Sequence, residues 1–160
     1  MASGHEIAMG LRAAYWAMHR QTEAALARCS VTADQFVLLS LLAEQDGITQ
    51  QELVRRASSD ANTIRAMLLR LESRDFVARE QHPTDGRARR VILTRKGKRT
   101  YERLWTQSEP LRQRMLAAFG PEEADTLADF LARIPEMILQ TKDPRPAASA
   151  VTGDSESDHG

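Results

Sequence analysis

Asn62, Thr63 and Arg65 are side chains of the kind that read base edges in DNA. Asn pairs bidentately with adenine, Arg with guanine, and the Thr methyl touches thymine. Ser59 and Asp60 lie just before them. Further along, Arg87 and Arg89 alternate with Ala88 beside an Asp85-Gly86 turn, and arginines on such a ribbon suit a narrow minor groove. Thr49, Gln50 and Gln51 open a short helical segment whose first N–H groups and positive end suit a phosphate. All but these last three belong to a basic block. Residues 55–99 carry 13 basic and 5 acidic side chains, a net charge of +8, while residues 1–54 and 100–140 each carry −3 and residues 141–160 carry −2. The zero net charge of the whole 160-residue chain hides this block. A local basic surplus is the footprint of a nucleic-acid-binding unit mounted on something else, although a solvated Arg-rich surface carries the same charge.

Other chemistries find no support. The four histidines, His5, His19, His82 and His159, are scattered, and the single cysteine, Cys29, has no partner for a zinc site or a disulfide framework. There is no Gly-rich phosphate loop and no Gly-x-Ser-x-Gly elbow, so the chain reads as a non-enzyme that needs no metal or cofactor. No run of about 18 apolar residues could span a membrane. The first ten residues lack a basic region ahead of an apolar core, so they do not read as a secretory signal. The expected location is the cytoplasm.

The elements that position these residues are legible from period and punctuation. Ile7, Leu11, Ala14, Met18, Ala25 and Leu26 fall mostly at helical spacing and predict a helix over 5–28. Thr32 to Gln35 is a capping box opening a helix that ends near Gly47; Thr49 to Glu52 is a second one, opening a short helix through Ala57. A helix over 60–74 buries Ile64, Met67, Leu68 and Leu71. The period then changes: Phe76–Glu80 and Arg90–Thr94 read as strands of a hairpin around Pro83 and Asp85-Gly86. Helix resumes from Arg95 to about Ala118, with a kink or break expected at Glu109 before Pro110. A last helix, 121–140, contains Pro135, where a bend is expected. Residues 142–160 are rich in Pro, Gly, Ser and Asp and read as a disordered tail. The fold class is mainly α with a small β-hairpin wing: a winged helix-turn-helix over 32–98, and a helical region from 5–28 and 100–140.

Asp60-Ala-Asn-Thr-Ile-Arg65, then Leu69-Arg-Leu-Glu-Ser-Arg-Asp-Phe-Val77, then Asp85-Gly-Arg87 and Val91-x-Leu-Thr-x-x-Gly97 together resemble the MarR family of winged helix-turn-helix regulators. The similarity covers about residues 7–140. Asp75 stands where the family often has Gly, and Arg65-Ala66 where it often has Thr-Arg, which puts the DNA preference in question. The resemblance implies that Arg87 is the wing arginine and that Asp60 pairs with it, holding the wing against the recognition helix. It also implies that the helices over 5–28 and 100–140 interlock two chains into a homodimer reading a pseudo-palindromic operator in double-stranded DNA. An effector site for a small aromatic or phenolic ligand is implied too, with Tyr15, Trp16, His19 and Phe36 as candidates; plain core packing is the alternative, and the better one for Phe36. The expected protein is a repressor released by such a ligand. Two other readings stay open: a thiol-based redox sensor through Cys29, whose position at a helix end differs from that of peroxide-sensing relatives, and a winged helix used for protein docking.

Overall fold

The computed structural model describes residues 1–86 and 88–140. Arg87 and the expected tail at 142–160 therefore lie outside the described residues.

Nearly every turn is set by a local cap. Helix α1 (Gly4–Leu26) starts at a Ser3/Glu6 capping box and passes into a 3-10 turn, Ala27–Cys29. Ser30 follows with φ 54°. Helix α2 (Ala33–Glu44) opens on the expected Thr32/Gln35 box. It ends at Gln45 rather than near Gly47. Gly47, at φ 77°, instead starts β1 (Ile48–Thr49), its N–H donating to the Val91 carbonyl at 3.1 Å. Thr49 caps α3 (Gln50–Arg56), but only half of the second capping box forms: the Glu52 carboxylate turns to Arg55, at 2.6 and 3.0 Å.

Helix α3 closes with Ser58 at φ 48°, the Ser58 and Ser59 N–H groups donating back to the Arg55 and Val54 carbonyls. Helix α4 (Ala61–Ser73) closes the same way. Asp75 takes φ 58°, its N–H reaching Glu72 O and the Phe76 N–H reaching Leu71 O, both at 2.9 Å. This is the left-handed closure usually given to Gly, held here by Asp.

The wing is β2 (Val77–Gln81) against β3 (Arg89–Leu93). The expected two-stranded ribbon is a three-stranded antiparallel sheet in the order β1-β3-β2, with Ile48 opposite Val91 and Val77 opposite Leu93. Two residues of strand carry no period of their own, so β1 exists only through β3. The core under this sheet is built from Leu38, Leu39, Leu42, Leu53, Ile64, Leu68, Leu71 and Val91, joined by Leu26 and Leu104. Met67 is only half-buried at its edge.

Helix α5 (Arg95–Leu116) is capped by Thr94 and packs against α1, α2 and β3. Of the kink or break expected at Glu109, no break occurs: the helix runs on through Pro110. Side chains staple that turn: the Arg112 guanidinium donates to Trp105 O at 2.8 Å and to Ser108 Oγ, while Ser108 Oγ donates to Leu104 O. Helix α6 (Pro121–Gln140) likewise continues through Pro135. Residues 1–117 cluster as one compact unit and α6 falls in another. Among the described residues no single helix is long and apolar enough to cross a membrane.

Candidate nucleic-acid interface

Helix α4 divides cleanly between two faces. Ile64, Leu68 and Leu71 are fully buried against the core. Asn62, Thr63, Arg65 and Ala66 stand on the exposed side at its N-terminal end. The end itself is fastened by Asp60. One of its carboxylate oxygens accepts the Asn62 and Thr63 N–H groups at 3.0 and 2.9 Å, and the other accepts the Thr63 hydroxyl at 2.6 Å. The Thr63 hydroxyl is thus engaged in the cap. Arg65 has no ion pair among the described residues and projects from the helix as an available guanidinium.

The Thr63 bonds hold the Asp60 carboxyl below the usual carboxylate range, the hydroxyl bond being the largest cause. A lowered folded-state value means that the cap stabilises the fold while the carboxylate is charged, and that this contribution fades as pH falls through the lowered value. Asp60→Ala is therefore expected to lower the urea midpoint at pH 7, with the gap from the parent closing under strongly acidic conditions. A gap that stays constant down to such pH would remove the ionised cap from the account.

Thr49 and Gln50 stand half-buried at the start of α3, with Thr49 Oγ1 taken by the Glu52 N–H at 3.2 Å. Ser59 is half-buried in the turn between α3 and α4. Arg89 is exposed at the head of β3, opposite Gln81. Arg87, and with it the expected Asp60–Arg87 pair, lies outside the described residues. Much of the basic block is neutralised in place, which the charge count did not foresee. Arg79 pairs with Glu72 at 3.0 Å, Arg90 with Glu80 at 2.9 Å, and Lys98 with Asp46 at 3.4 Å. The half-buried Arg90 side chain also lies against Gly47. Asp46 ties three elements, accepting the Gly47 and Leu93 N–H groups while facing Lys98. The sequence signal for it was only an Asp-Gly step at the end of a helix.

A second feature lies between α1, α2 and α5: an apolar cleft of about 260 Å³. Of the four candidates, Tyr15, His19 and Phe36 line it, joined by Met18, Val37, Trp105, Leu111, Arg112 and Met115. Trp16 does not line it; it packs edge-on against Tyr15 and His19 from the neighbouring face of α1. His19 has Glu23 on one ring nitrogen and Asp34 on the other, each at 3.9 Å. The Arg112 guanidinium stacks 3.6 Å from the Trp105 ring centre. Phe36, 8 % exposed, also stacks on Tyr101 and belongs mostly to the core.

Residues 31–88 match the MarR family model. The chain is 33 % identical over 104 residues to the HTH-type transcriptional regulator YdgJ of Bacillus subtilis, a stretch covering 65 % of this chain and 63 % of YdgJ. Over residues 31–88 the chain is similar to MarR-family regulators. A crystal structure of an Escherichia coli MarR variant complexed with operator DNA superposes with a TM-score of 0.71 at 26 % identity, covering 80 % of this chain and 92 % of that one. Bordetella bronchiseptica BpsR, whose DNA binding is regulated by 6-hydroxynicotinic acid, superposes with a TM-score of 0.72 at 25 % identity, over 81 % and 98 % of the two chains. YdgJ is matched over less than two thirds of its length.

Cys29 is half-buried and its thiol donates to Gln107 Oε1 at 2.8 Å. No group of His, Cys, Asp and Glu among the described residues could hold a metal ion.

Proposed function

We propose that this chain is a dimeric, sequence-specific DNA-binding transcription regulator of the MarR family, a repressor released by a small aromatic or phenolic ligand, acting in the cytoplasm. The observation that carries the reading is α4. Its apolar face is buried, and Asn62 and Arg65 project from the other side at an end secured by Asp60. That is the arrangement a recognition helix needs in a major groove. The N-terminus of α3, with Thr49, Gln50 and Ser59 nearby, suits a phosphate, and the wing residues Arg87 and Arg89 suit the minor groove. The operator complex of the E. coli relative supports the same use of the fold.

The dimer reading rests on helices that stay apolar and uncovered. On α1, Ile7, Met9, Tyr15, Trp16 and Met18 are exposed, and on α6 so are Leu127, Phe130 and Leu131. Each helix by itself thus exposes several large apolar side chains, as interface helices do. Two chains would space their recognition helices about 34 Å apart and read a pseudo-palindrome. The ligand reading rests on the aromatic cleft and on the aromatic acid that regulates BpsR.

The test is a titration against the DNA flanking the protein's own gene, with random DNA beside it. Preferred binding whose log K falls steeply with log salt supports the reading. Equal, weak binding to both sinks it for that DNA and brings the protein-docking reading forward. Sedimentation at micromolar concentration should give twice the chain mass; a single-chain species rejects the dimer. Phenols and aromatic acids added to the complex should release the DNA; if none does, the ligand reading falls.

A further inference from the structure

A second cleft, of about 450 Å³, lies away from the aromatic one and is lined by Arg74, Phe76, Lys96, Arg99, Thr100 and Arg103. Four of these six carry positive charge, and no carboxylate is among them. Two are already fixed in place. Arg74 donates to the carbonyls of Ser30 and Cys29, Lys96 donates to Arg74 O at 2.8 Å, and both cations sit over the buried Phe76 ring, at 4.6 and 5.3 Å from its centre. Arg99 and Arg103, one turn apart on α5, are exposed and have no ion pair among the described residues.

This arrangement works against the fold's own electrostatics. The first turn of α5 holds no acidic residue. Lys96 thus stands at the positive end of the helix, where a cation is disfavoured. Like charges one turn apart are disfavoured as well. An anion in the cleft would relieve both.

We propose that the Arg74/Lys96/Arg99/Arg103 cleft is a binding site for a small free polyanion bearing phosphate groups. The free guanidinium forks of Arg99 and Arg103 match phosphate oxygens, and the pre-placed Arg74 and Lys96 add the charge for more than one negative group. The Phe76 face is covered by its two cations, so recognition is by charge and not by ring stacking, unlike the aromatic cleft. Arg74 follows the far end of α4, about 20 Å along the helix from Asp60. The site is thus separate from the base-reading end and stands whether or not the proposed operator binding holds.

The test is calorimetric titration of the full chain with inorganic pyrophosphate at physiological salt. The expected result is one saturable site per chain. Arg99→Gln with Arg103→Gln should weaken it by about tenfold or more, and Arg65→Gln should leave it unchanged. Both variants alter exposed side chains, and an unchanged thermal midpoint verifies folding. No saturation by the parent at millimolar pyrophosphate, equal binding by the double variant, or loss of binding in Arg65→Gln each overturns the proposal. In the DNA arm, the double variant should keep the parent's salt slope; a slope smaller by about 1 or more assigns these arginines to DNA phosphates and overturns it too.

Discussion

Replacing Gly97 by alanine is expected to destabilise the folded chain by about 3 kcal/mol, the upper part of the range for overpacking. A Cβ at this position would lie 1.9 Å from the Phe76 carbonyl oxygen and 2.8 Å from its carbon. Both neighbours are backbone, so no side chain can swing aside. The Phe76 carbonyl is also in use: it accepts the Thr94 N–H at 3.1 Å, and the Phe76 N–H closes α4 on Leu71 O. Room for a methyl group therefore requires either moving the α4 closure or lifting α5 away from the sheet. Gly97 has no unusual backbone conformation; the requirement is the close approach alone. Urea unfolding followed by circular dichroism gives the number. A loss below about 0.5 kcal/mol, the size typical of a surface substitution, would mean that α5 pivots at no cost, contrary to this packing.

Arg65→Ala is expected to weaken binding to the preferred DNA site by about 1–3 kcal/mol and to relax the preference at one base pair. The reasoning starts from availability. Arg79 and Arg90 are spent on Glu72 and Glu80, and Lys98 on Asp46. Arg65 is exposed on the outer face of α4 beyond its capped end, with its neighbour Ile64 buried. Binding measured over single-base variants of the site separates two roles. A base contact flattens the response at one position. A phosphate contact lowers affinity evenly and reduces the salt slope by about 1. If the variant binds every sequence as the parent does, α4 does not read DNA through this residue. Lysine at position 65 is not expected to restore the preference, because its point charge lacks the bidentate fork.

The parts of this fold that were legible in the residues are those decided within a turn or two of chain. Thr32 with Gln35, and Asp60 ahead of Asn62 and Thr63, announce helix starts because the capping atoms are two or three residues from the N–H groups they serve. The change from helical period to strand after Arg74 announces the wing, and Asp75 takes the left-handed turn its place in the motif demanded. Tyr15 and His19, four apart, share the cleft face of α1, and Trp16 falls on the next face by the same geometry.

Tertiary structure decided the rest. Strand β1 exists because Ile48 and Thr49 meet Val91 and Arg90, some forty residues away. Helix α5 survives Pro110 because Arg112 and Ser108 bind its loosened turn, and because α1 and α2 pack along it. Trp105 and Arg112 complete the aromatic cleft from a helix remote in sequence. The basic block divides into braced and available cations only once Glu72, Glu80 and Asp46 are brought beside their partners. A sequence displays short-range hydrogen bonding and period directly, because both repeat along the chain. Which charges meet, and which stay free for a ligand, depends on distances that only the folded chain creates.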